Sequence, residues 1–391
     1  MKASIVGRDR QPMTGQYPPK VEIRKQLALH SSTGKDDMAG LRPGLLTCVA
    51  LGLLVLSAYP VAAAEKQDHQ HRNAGIGPNE LAVVINDLDP LSQKIGNYYQ
   101  KRRQIPQENM IHIRFKPGGS NLPRAEFIQI KTGVNRQTRA DVQAYALTWT
   151  APYRVDCMSI TTAFATGFDP AFCSTGCGTT KLSPYFNSNS SAPYTDYRIR
   201  PTMTIAGKEF AEAKKLIDRG VAADRTYPQG VGYLVSTTDK ARNVRANIYP
   251  TIVKYLGAHL DLRIVSADFL VHKNDILFYF TGRANVAELT TNRFEPGAIA
   301  DHLTSTGGQL TDSGQMSSLR WLEAGATGSY GTVTEPCNHL AKFPHPGVVI
   351  DRYLQGETLI EAYWKSVAWP GQGIFIGEPL ARPFPAGRRP H

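Results

Sequence analysis

Cys337 and His302 are the two residues whose side chains could together carry out nucleophilic catalysis. They lie about 35 positions apart, in stretches that read as loops. A histidine beside a cysteine can generate the thiolate near neutral pH, and the thiolate is the nucleophile of cysteine hydrolases. Asp301 is a poor group to orient His302, because neighbouring residues on an extended strand point to opposite faces. An active cysteine hydrolase that uses Cys337 and His302 is therefore one hypothesis.

The cysteine count offers a competing use for Cys337. The chain has five cysteines, and Cys48 lies in a predicted signal segment, which leaves Cys157, Cys173, Cys177 and Cys337. An even number in an exported chain favours disulfides, with three possible connectivities. Zinc is the alternative for Cys173 and Cys177, but no second close Cys or His pair completes a four-ligand set. We expect disulfides, and we expect no metal and no cofactor.

Polar residues that follow predicted strands are the other candidates, because ligands bind outside the carboxyl ends of strands in open α/β sheets. Asp301 and His302 could bind a metal together with Asp87, which makes a metal-dependent hydrolase a further hypothesis. No His-Glu-x-x-His, Walker or Gly-x-Ser-x-Gly motif points to a specific catalytic class. The candidate binding residues are Asn86, Asp87, Trp149, Arg283, Asp301, His302, Tyr330 and Glu335. The same rule selects Arg154, Asp239, Arg242, Arg245 and Glu378.

Strands and helices must alternate to position these residues. The run 81–85 is short and apolar, which is typical of a strand buried on both faces. Asp89 can cap the next helix, with Pro90 at its first position. The alternation continues along the chain and predicts an α/β domain over 80–385, with a largely parallel sheet and helices on both faces. Further strands are predicted at 110–115, 145–149, 230–236, 262–265, 275–280, 297–300, 326–333 and 373–376, and further helices at 124–143, 207–220, 241–256, 315–324 and 357–366.

One long stretch of the domain lacks this periodicity. Residues 153–202 are rich in Gly, Ser, Pro and Asn and contain three of the cysteines. Loops of this length seldom lack structure without a reason. We predict a Cys-containing loop insertion held by a disulfide.

The segment 38–64 has the three parts of a secretion signal. Arg42 supplies a positive flank, 45–61 is almost wholly apolar, and 62–64 is the small-residue pattern that a signal peptidase accepts. The apolar run is marginal for a bilayer span, which needs about 20 residues. We therefore predict a periplasmic or secreted protein with no membrane span after signal cleavage.

The remaining terminal segments are polar. Residues 1–37 are basic and precede Met38, and we interpret them as an extension that is not native. Residues 65–79 are predicted to be flexible, and 386–391 form a basic tail. The formal net charge of +11 comes from scattered Lys and Arg, so nucleic acid is not an expected partner.

Several segments resemble a family of exported bacterial proteins that is associated with species carrying the exosortase protein-sorting system. The resemblance runs through most of 80–385 and brings no assigned activity. The residues that carry it are Leu81–Phe115, Leu147–Arg154, Asp301–Gly308, Gly325–Asn338 and Gly377–Phe384.

The order of elements is also similar, more distantly, to the catalytic domain of gingipain-type cysteine peptidases, which have the caspase-like fold. In that family one strand ends in a Thr-Gly-His-Gly-like turn that carries the catalytic histidine, and the next strand ends at the catalytic cysteine. Phe278–Arg283 and Ala298–His302 occupy these two places here. A Gly-rich strand, a Gly-x-Thr-x-x-Glu-Ala helix and a Gly-Asp-Pro-like turn correspond to Gly325–Tyr330, Gly356–Ala362 and Gly377–Pro379.

Two departures from the gingipain pattern decide what this resemblance implies. Arg283 stands where the histidine should be, and Asp301 or His302 stands where the cysteine should be. An arginine guanidinium stays protonated and cannot act as a general base, and loss of a nucleophile or its base costs many powers of ten in rate. The resemblance therefore implies a degenerate peptidase-like site, in a pseudoenzyme with a binding or accessory role. Its ligand would be a peptide or an anionic group held by Arg283 and the turn before it.

Overall fold

The computed structural model describes residues 75–174, 176–311 and 313–384. The predicted extension 1–37, the predicted signal 38–64, most of the segment 65–79 and the tail 386–391 lie outside the described residues. Within the described ranges no helix is long and apolar enough to span a bilayer. The strands in these ranges are β1 (Leu81–Asn86), β2 (Met110–Ile113), β3 (Ala144–Leu147), β4 (Arg154–Val155), β5 (Met158–Ser159), β6 (Thr202–Thr204), β7 (Val231–Ser236), β8 (Leu262–Ser266), β9 (Ile276–Gly282), β10 (Phe294–Leu303), β11 (Gly328–Thr332) and β12 (Gly373–Gly377).

The helices lie between these strands. The α-helices are α1 (Pro90–Arg103), α2 (Arg124–Gln137), α3 (Ile160–Thr166), α4 (Pro193–Tyr197), α5 (Phe210–Ala223), α6 (Tyr249–Leu256), α7 (Leu319–Ala324), α8 (Pro346–Leu354) and α9 (Leu359–Lys365). Short 3-10 turns include Asn243–Ile248, Leu340–Lys342 and Pro370–Gln372.

Ten strands form one sheet in the order β2-β1-β3-β6-β12-β11-β10-β9-β7-β8. All neighbours are parallel except β11 and β12, which are antiparallel. Because this one antiparallel contact joins two parallel blocks, the strand direction reverses there. The carboxyl ends of β7, β8, β9, β10 and β11 lie at one end of the sheet, which we call the β10 rim. The carboxyl ends of β1, β2, β3, β6 and β12 lie at the opposite end, the β1 rim.

Both faces of the sheet carry apolar core. Phe278 and Phe280 of β9 belong to the larger core cluster, whereas Tyr279 between them belongs to a smaller cluster with Trp321 of α7. Alternate residues of a strand point to opposite faces, so the two clusters cover the two faces. The predicted fold class, α/β with a largely parallel sheet and helices on both faces, is confirmed.

Local signals set the first strand–helix unit as predicted. All six residues of β1 are buried. The Asp89 side chain accepts a hydrogen bond from the backbone N–H of Leu91, and Pro90 is the first residue of α1. The carboxylate thus satisfies one of the N–H groups that a helix start leaves without a partner.

The predicted loop insertion 153–202 is more regular than expected. It contains the β4–β5 hairpin, α3 and α4, and it ends at β6, which pairs with β3 and β12 in the main sheet. These strands have two or three residues each, which is too short for a period to show in the sequence. The insertion therefore contributes to the main sheet rather than lying outside it.

Two helices differ from prediction. The predicted helix 241–256 is a 3-10 turn, Asn243–Ile248, followed by α6 with Pro250 in its first turn. Helix α8 was not predicted; Pro346 starts it, and the side chain of His345 caps it by accepting from the N–H of Val348.

Candidate functional site

His302 is a buried, neutral residue in the structure. The indole N–H of Trp321 donates to its Nδ1 at 2.9 Å, so its Nε2 carries the proton and donates to the carbonyl of Met316 at 3.0 Å. Gly307 packs over the ring, where a Cβ would lie 3.3 Å from Cε1. Burial lowers the pKa of His302 to about 3. Both ring nitrogens are occupied, and the imidazole is not placed to take a proton from a nucleophile.

Asp301 points away from His302, to the other face of the sheet. Its Oδ1 lies 2.6 Å from Nη1 of Arg245, and both side chains are about 1% exposed. Burial raises the pKa of Asp301, and the Arg245 guanidinium opposes that rise. Arg245 also donates to the carbonyl of Thr281 at 2.6 Å. The pair ties β10, β9 and the turn 243–248 together inside the core, away from solvent.

Cys337 is joined to Cys177 in a disulfide, and Cys157 is joined to Cys173. The disulfide use predicted for all four cysteines is confirmed, and the connectivity that the sequence left open is resolved. A sulfur in a disulfide cannot act as a thiolate. The Cys337–His302 pair of the hydrolase hypothesis is therefore not formed in this structure.

Three of the predicted site residues lie at the β1 rim. Asn86 is buried and its side chain bonds the backbone N–H and carbonyl of Phe115, which ties the ends of β1 and β2. Trp149 donates to the carbonyl of Pro152 at 3.2 Å. Asp87 lies 2.7 Å from Nδ1 of His112.

The metal hypothesis needs Asp87 beside Asp301 and His302, and the structure does not bring them together. Asp87 follows β1 at one end of the sheet, whereas the other two end β10 at the opposite end. The antiparallel contact of β11 and β12, which the sequence did not reveal, is the reason. Among the described residues no group of three or more His, Cys, Asp or Glu side chains is placed to hold a metal.

Tyr330 and Glu335 lie near the carboxyl end of β11. Tyr330 is buried, and its hydroxyl donates to the carbonyl of Lys342 at 2.6 Å. Glu335 is exposed, and its Oε1 accepts from the backbone N–H of Cys337 at 2.7 Å. Tyr330 thus holds a turn in place, whereas the Glu335 carboxylate remains open to solvent.

Arg283 lies at the β10 rim. The β9–β10 register pairs Thr281 with His302 and Gly282 with Leu303, so Arg283 emerges where both strands end. Gly282 is required here, because a Cβ would lie 1.9 Å from a backbone oxygen of the neighbouring turn. The Arg283 side chain is 31% exposed and pairs with Asp268 at 2.5 Å.

Arg242 is a second guanidinium at this rim. Its Nε donates to Thr304 at 3.1 Å and its Nη1 donates to Asp239 at 3.0 Å. The side chain is 24% exposed. Two arginines, each paired with one carboxylate, therefore reach solvent where β7, β9 and β10 end.

Substitution of His302 should change how stability depends on pH. The pKa is about 3 in the folded state and about 6.5 in an unfolded chain. Between these values the unfolded state binds the additional proton, so the free energy of unfolding falls as the pH falls from about 6.5 to about 3. Titration of His302 alone should lower the free energy of unfolding by about 2–3 kcal/mol between pH 7 and pH 4.5.

Urea unfolding of His302→Gln at these two pH values measures this contribution. Glutamine can accept from Trp321 and donate to Met316, but it does not titrate. In His302→Gln, the fall in the free energy of unfolding between pH 7 and pH 4.5 should be about 2–3 kcal/mol smaller than in the wild type. The control variant His259→Gln should show the same fall as the wild type. If the free energy of unfolding of His302→Gln falls between these pH values as much as that of the wild type, the buried, neutral state of His302 is contradicted.

The chain matches no protein-family model and no curated protein. Two solved structures resemble it. One is a protease, 12% identical with a TM-score of 0.45, and the match covers 81% of each chain. The other is the complex of the pro- and mature domains of RgpB from Porphyromonas gingivalis, a gingipain, 8% identical with a TM-score of 0.40, covering 78% of this chain and 80% of that one.

Proposed function

We propose that this protein is an exported binding or accessory protein whose peptidase-like site lacks a cysteine nucleophile. The pairing of the cysteines carries this proposal, because all four in the described ranges are in disulfides. His302, the other half of the hypothetical catalytic pair, is buried with both ring nitrogens hydrogen-bonded. A thiolate and a base that can reach it are both required for cysteine-hydrolase chemistry.

Export is supported by the same disulfides and by the predicted signal at 38–64. Structural disulfides persist in oxidising compartments and are rare in the cytosol. The resemblance of the sequence to an exported family agrees with this. We therefore assign the protein to the periplasm or the extracellular space.

We propose an acidic peptide as the ligand, bound at the β10 rim. Asp268 contacts Nη1 of Arg283, and no other hydrogen-bond partner of that guanidinium is found among the described residues. The Nη2 of Arg242 likewise has no hydrogen-bond partner among the described residues. Free N–H donors on two partly exposed guanidinium groups suit a carboxylate, since charge-assisted hydrogen bonds to Arg are among the strongest in proteins. The Asp residues beside each arginine hold the side chains in position.

Incubation with a fluorescent library of acidic peptides tests both parts of the proposal. We expect binding without cleavage, and we expect Arg283→Gln to weaken binding by at least about tenfold, because a hydrogen bond to a charged group contributes about 1.5–3 kcal/mol. Arg124→Gln is the matched control: Arg124 also pairs with a single carboxylate, that of Asp156, but lies at the other rim. It should bind as the wild type does.

Three results would contradict the proposal in different ways. Cleavage that alkylation abolishes would restore the cysteine-hydrolase hypothesis with Cys337 and His302. Cleavage that depends on a bound metal, detected by elemental analysis, would favour a metal-dependent hydrolase. Equal peptide affinity in Arg283→Gln and the wild type would exclude Arg283 as the anion-binding residue.

A further inference from the structure

Lys342 is a buried ammonium group that nothing in the described structure neutralises by direct contact. It ends the 3-10 turn 340–342, its side chain has no exposed surface, and its Nζ has no hydrogen-bond partner among the described residues. Burial lowers its pKa to about 8, which the Glu335 carboxylate partly opposes. A cation removed from water without a partner is one of the most costly groups to bury. An anion bound beside it would remove that cost.

Gln372 presents a buried acceptor on the neighbouring turn. The turns 340–342 and 370–372 are joined by a hydrogen bond from the N–H of Trp369 to the carbonyl of Ala341 at 2.7 Å. The Nε2 of Gln372 donates to Thr334 at 2.9 Å and to the backbone carbonyl of Glu335 at 2.8 Å, which fixes the amide orientation because a carbonyl can only accept. The Oε1 of Gln372 is buried and has no partner in the described ranges.

The segment 335–338 links the two turns that carry Lys342 and Gln372. Glu335 bonds Gln372 through its carbonyl, and the chain then runs through Cys337 and Asn338 to the turn that carries Lys342. Cys337 and Asn338 both have φ of 57°, a left-handed conformation that is uncommon in residues other than glycine. The Cys177–Cys337 disulfide and the Glu335 side chain hold this conformation. Strained segments of this kind are concentrated at ligand clamps and switches.

We propose that Lys342 and Gln372 form a binding site for a carboxylate that carries an adjacent N–H, the chemistry of a peptide carboxyl terminus or an N-acylated amino acid. The ammonium of Lys342 pairs with the carboxylate, and the Oε1 of Gln372 accepts the hydrogen bond of the amide N–H. The ligand enters past Glu335, which is the exposed residue of the segment 335–338. This site does not depend on Arg283 and goes beyond the function proposed above.

Calorimetric titration with N-acetyl-Ala-Ala and with its carboxyl-terminal amide tests the site on the wild-type protein. The two probes differ only in the charge that Lys342 would recognise. We expect the free acid to bind and the amide to bind at least about tenfold more weakly, given about 1.5–3 kcal/mol for a hydrogen bond to a charged group. This comparison requires no substitution, so it remains valid if a variant fails to fold.

Lys342→Met tests the assignment to one residue. It should bind the free acid at least about tenfold more weakly and should unfold at the same or a higher temperature, because it loses an unpaired buried charge. Lys116→Met, at an exposed lysine after β2, should bind the acid as the wild type does. The proposal is overturned if the acid does not bind at millimolar concentration, if acid and amide bind equally, or if Lys342→Met retains full affinity.

Discussion

Replacement of Cys177 and Cys337 by serine should lower the free energy of unfolding by about 5 kcal/mol. The two residues are 160 positions apart, and the disulfide prevents a large part of the unfolded chain from exploring open conformations. The chain-entropy relation for a loop of this length gives about 5 kcal/mol. The bond also joins the insertion to the segment that follows β11, so its loss removes a constraint at the β10 rim.

Denaturant unfolding without reductant provides the measurement. The matched control is the double serine variant of Cys157 and Cys173, which are only 16 positions apart. The same relation gives about 3 kcal/mol for that bond. If the two double variants lose the same free energy of unfolding, or if the variant with the shorter loop loses more, the entropy of the unfolded chain does not govern the stabilisation.

Glu378→Ala should destabilise the protein by about 3 kcal/mol, because it removes the buried carboxylate that Arg103 contacts and leaves this arginine only the partly exposed carboxylate of Asp224. Glu378 follows β12 and has no exposed surface. Its carboxylate accepts from Arg103 at 2.8 Å and from the hydroxyl of Tyr99 at 2.7 Å. Gly220 of α5 closes the site, since a Cβ there would lie 2.5 Å from the Glu378 Cγ.

An exposed ion pair supplies the control for this prediction. Asp261 pairs with Arg263 at 2.6 Å, and both side chains are about half exposed. Asp261→Asn should cost no more than about 1 kcal/mol, as is usual for pairs in solvent. Thermal or urea unfolding of the two variants at neutral pH makes the comparison. If Glu378→Ala lowers the free energy of unfolding no more than Asp261→Asn does, the Arg103–Glu378 pair does not stabilise the carboxyl end of β12 as we infer.

The elements that could be predicted from the sequence are those with a strong local pattern. The apolar run in β9 and the Asp89–Pro90 helix start depend on neighbouring residues only, and both are present where expected. Strand β6 was missed because a three-residue Thr-Met-Thr segment shows no period. The reversal at β11 and β12 was missed because strand direction within a sheet depends on long-range pairing, and it separates Asp87 from His302.

The sequence indicated which residues follow strands, but it did not indicate what surrounds them. The sequence placed Asp301, His302 and Arg283 at strand ends, and the structure has them there. Their partners come from distant segments, as Trp321 does for His302, so burial could not be foreseen. Lys342 was overlooked, although a lysine between apolar neighbours from 340 to 343 is a signal that could have been used.

Titration of free thiols in the unfolded, non-reduced chain is the most direct test of the claim that no cysteine nucleophile is present. The sample for this titration is the chain from Glu65 onward, without the predicted signal, which excludes Cys48 from the count. We predict no free thiol, and a disulfide-linked pair of peptides containing Cys177 and Cys337 in the digest. A free Cys337 thiol, together with peptide cleavage that iodoacetamide abolishes, would contradict the claim.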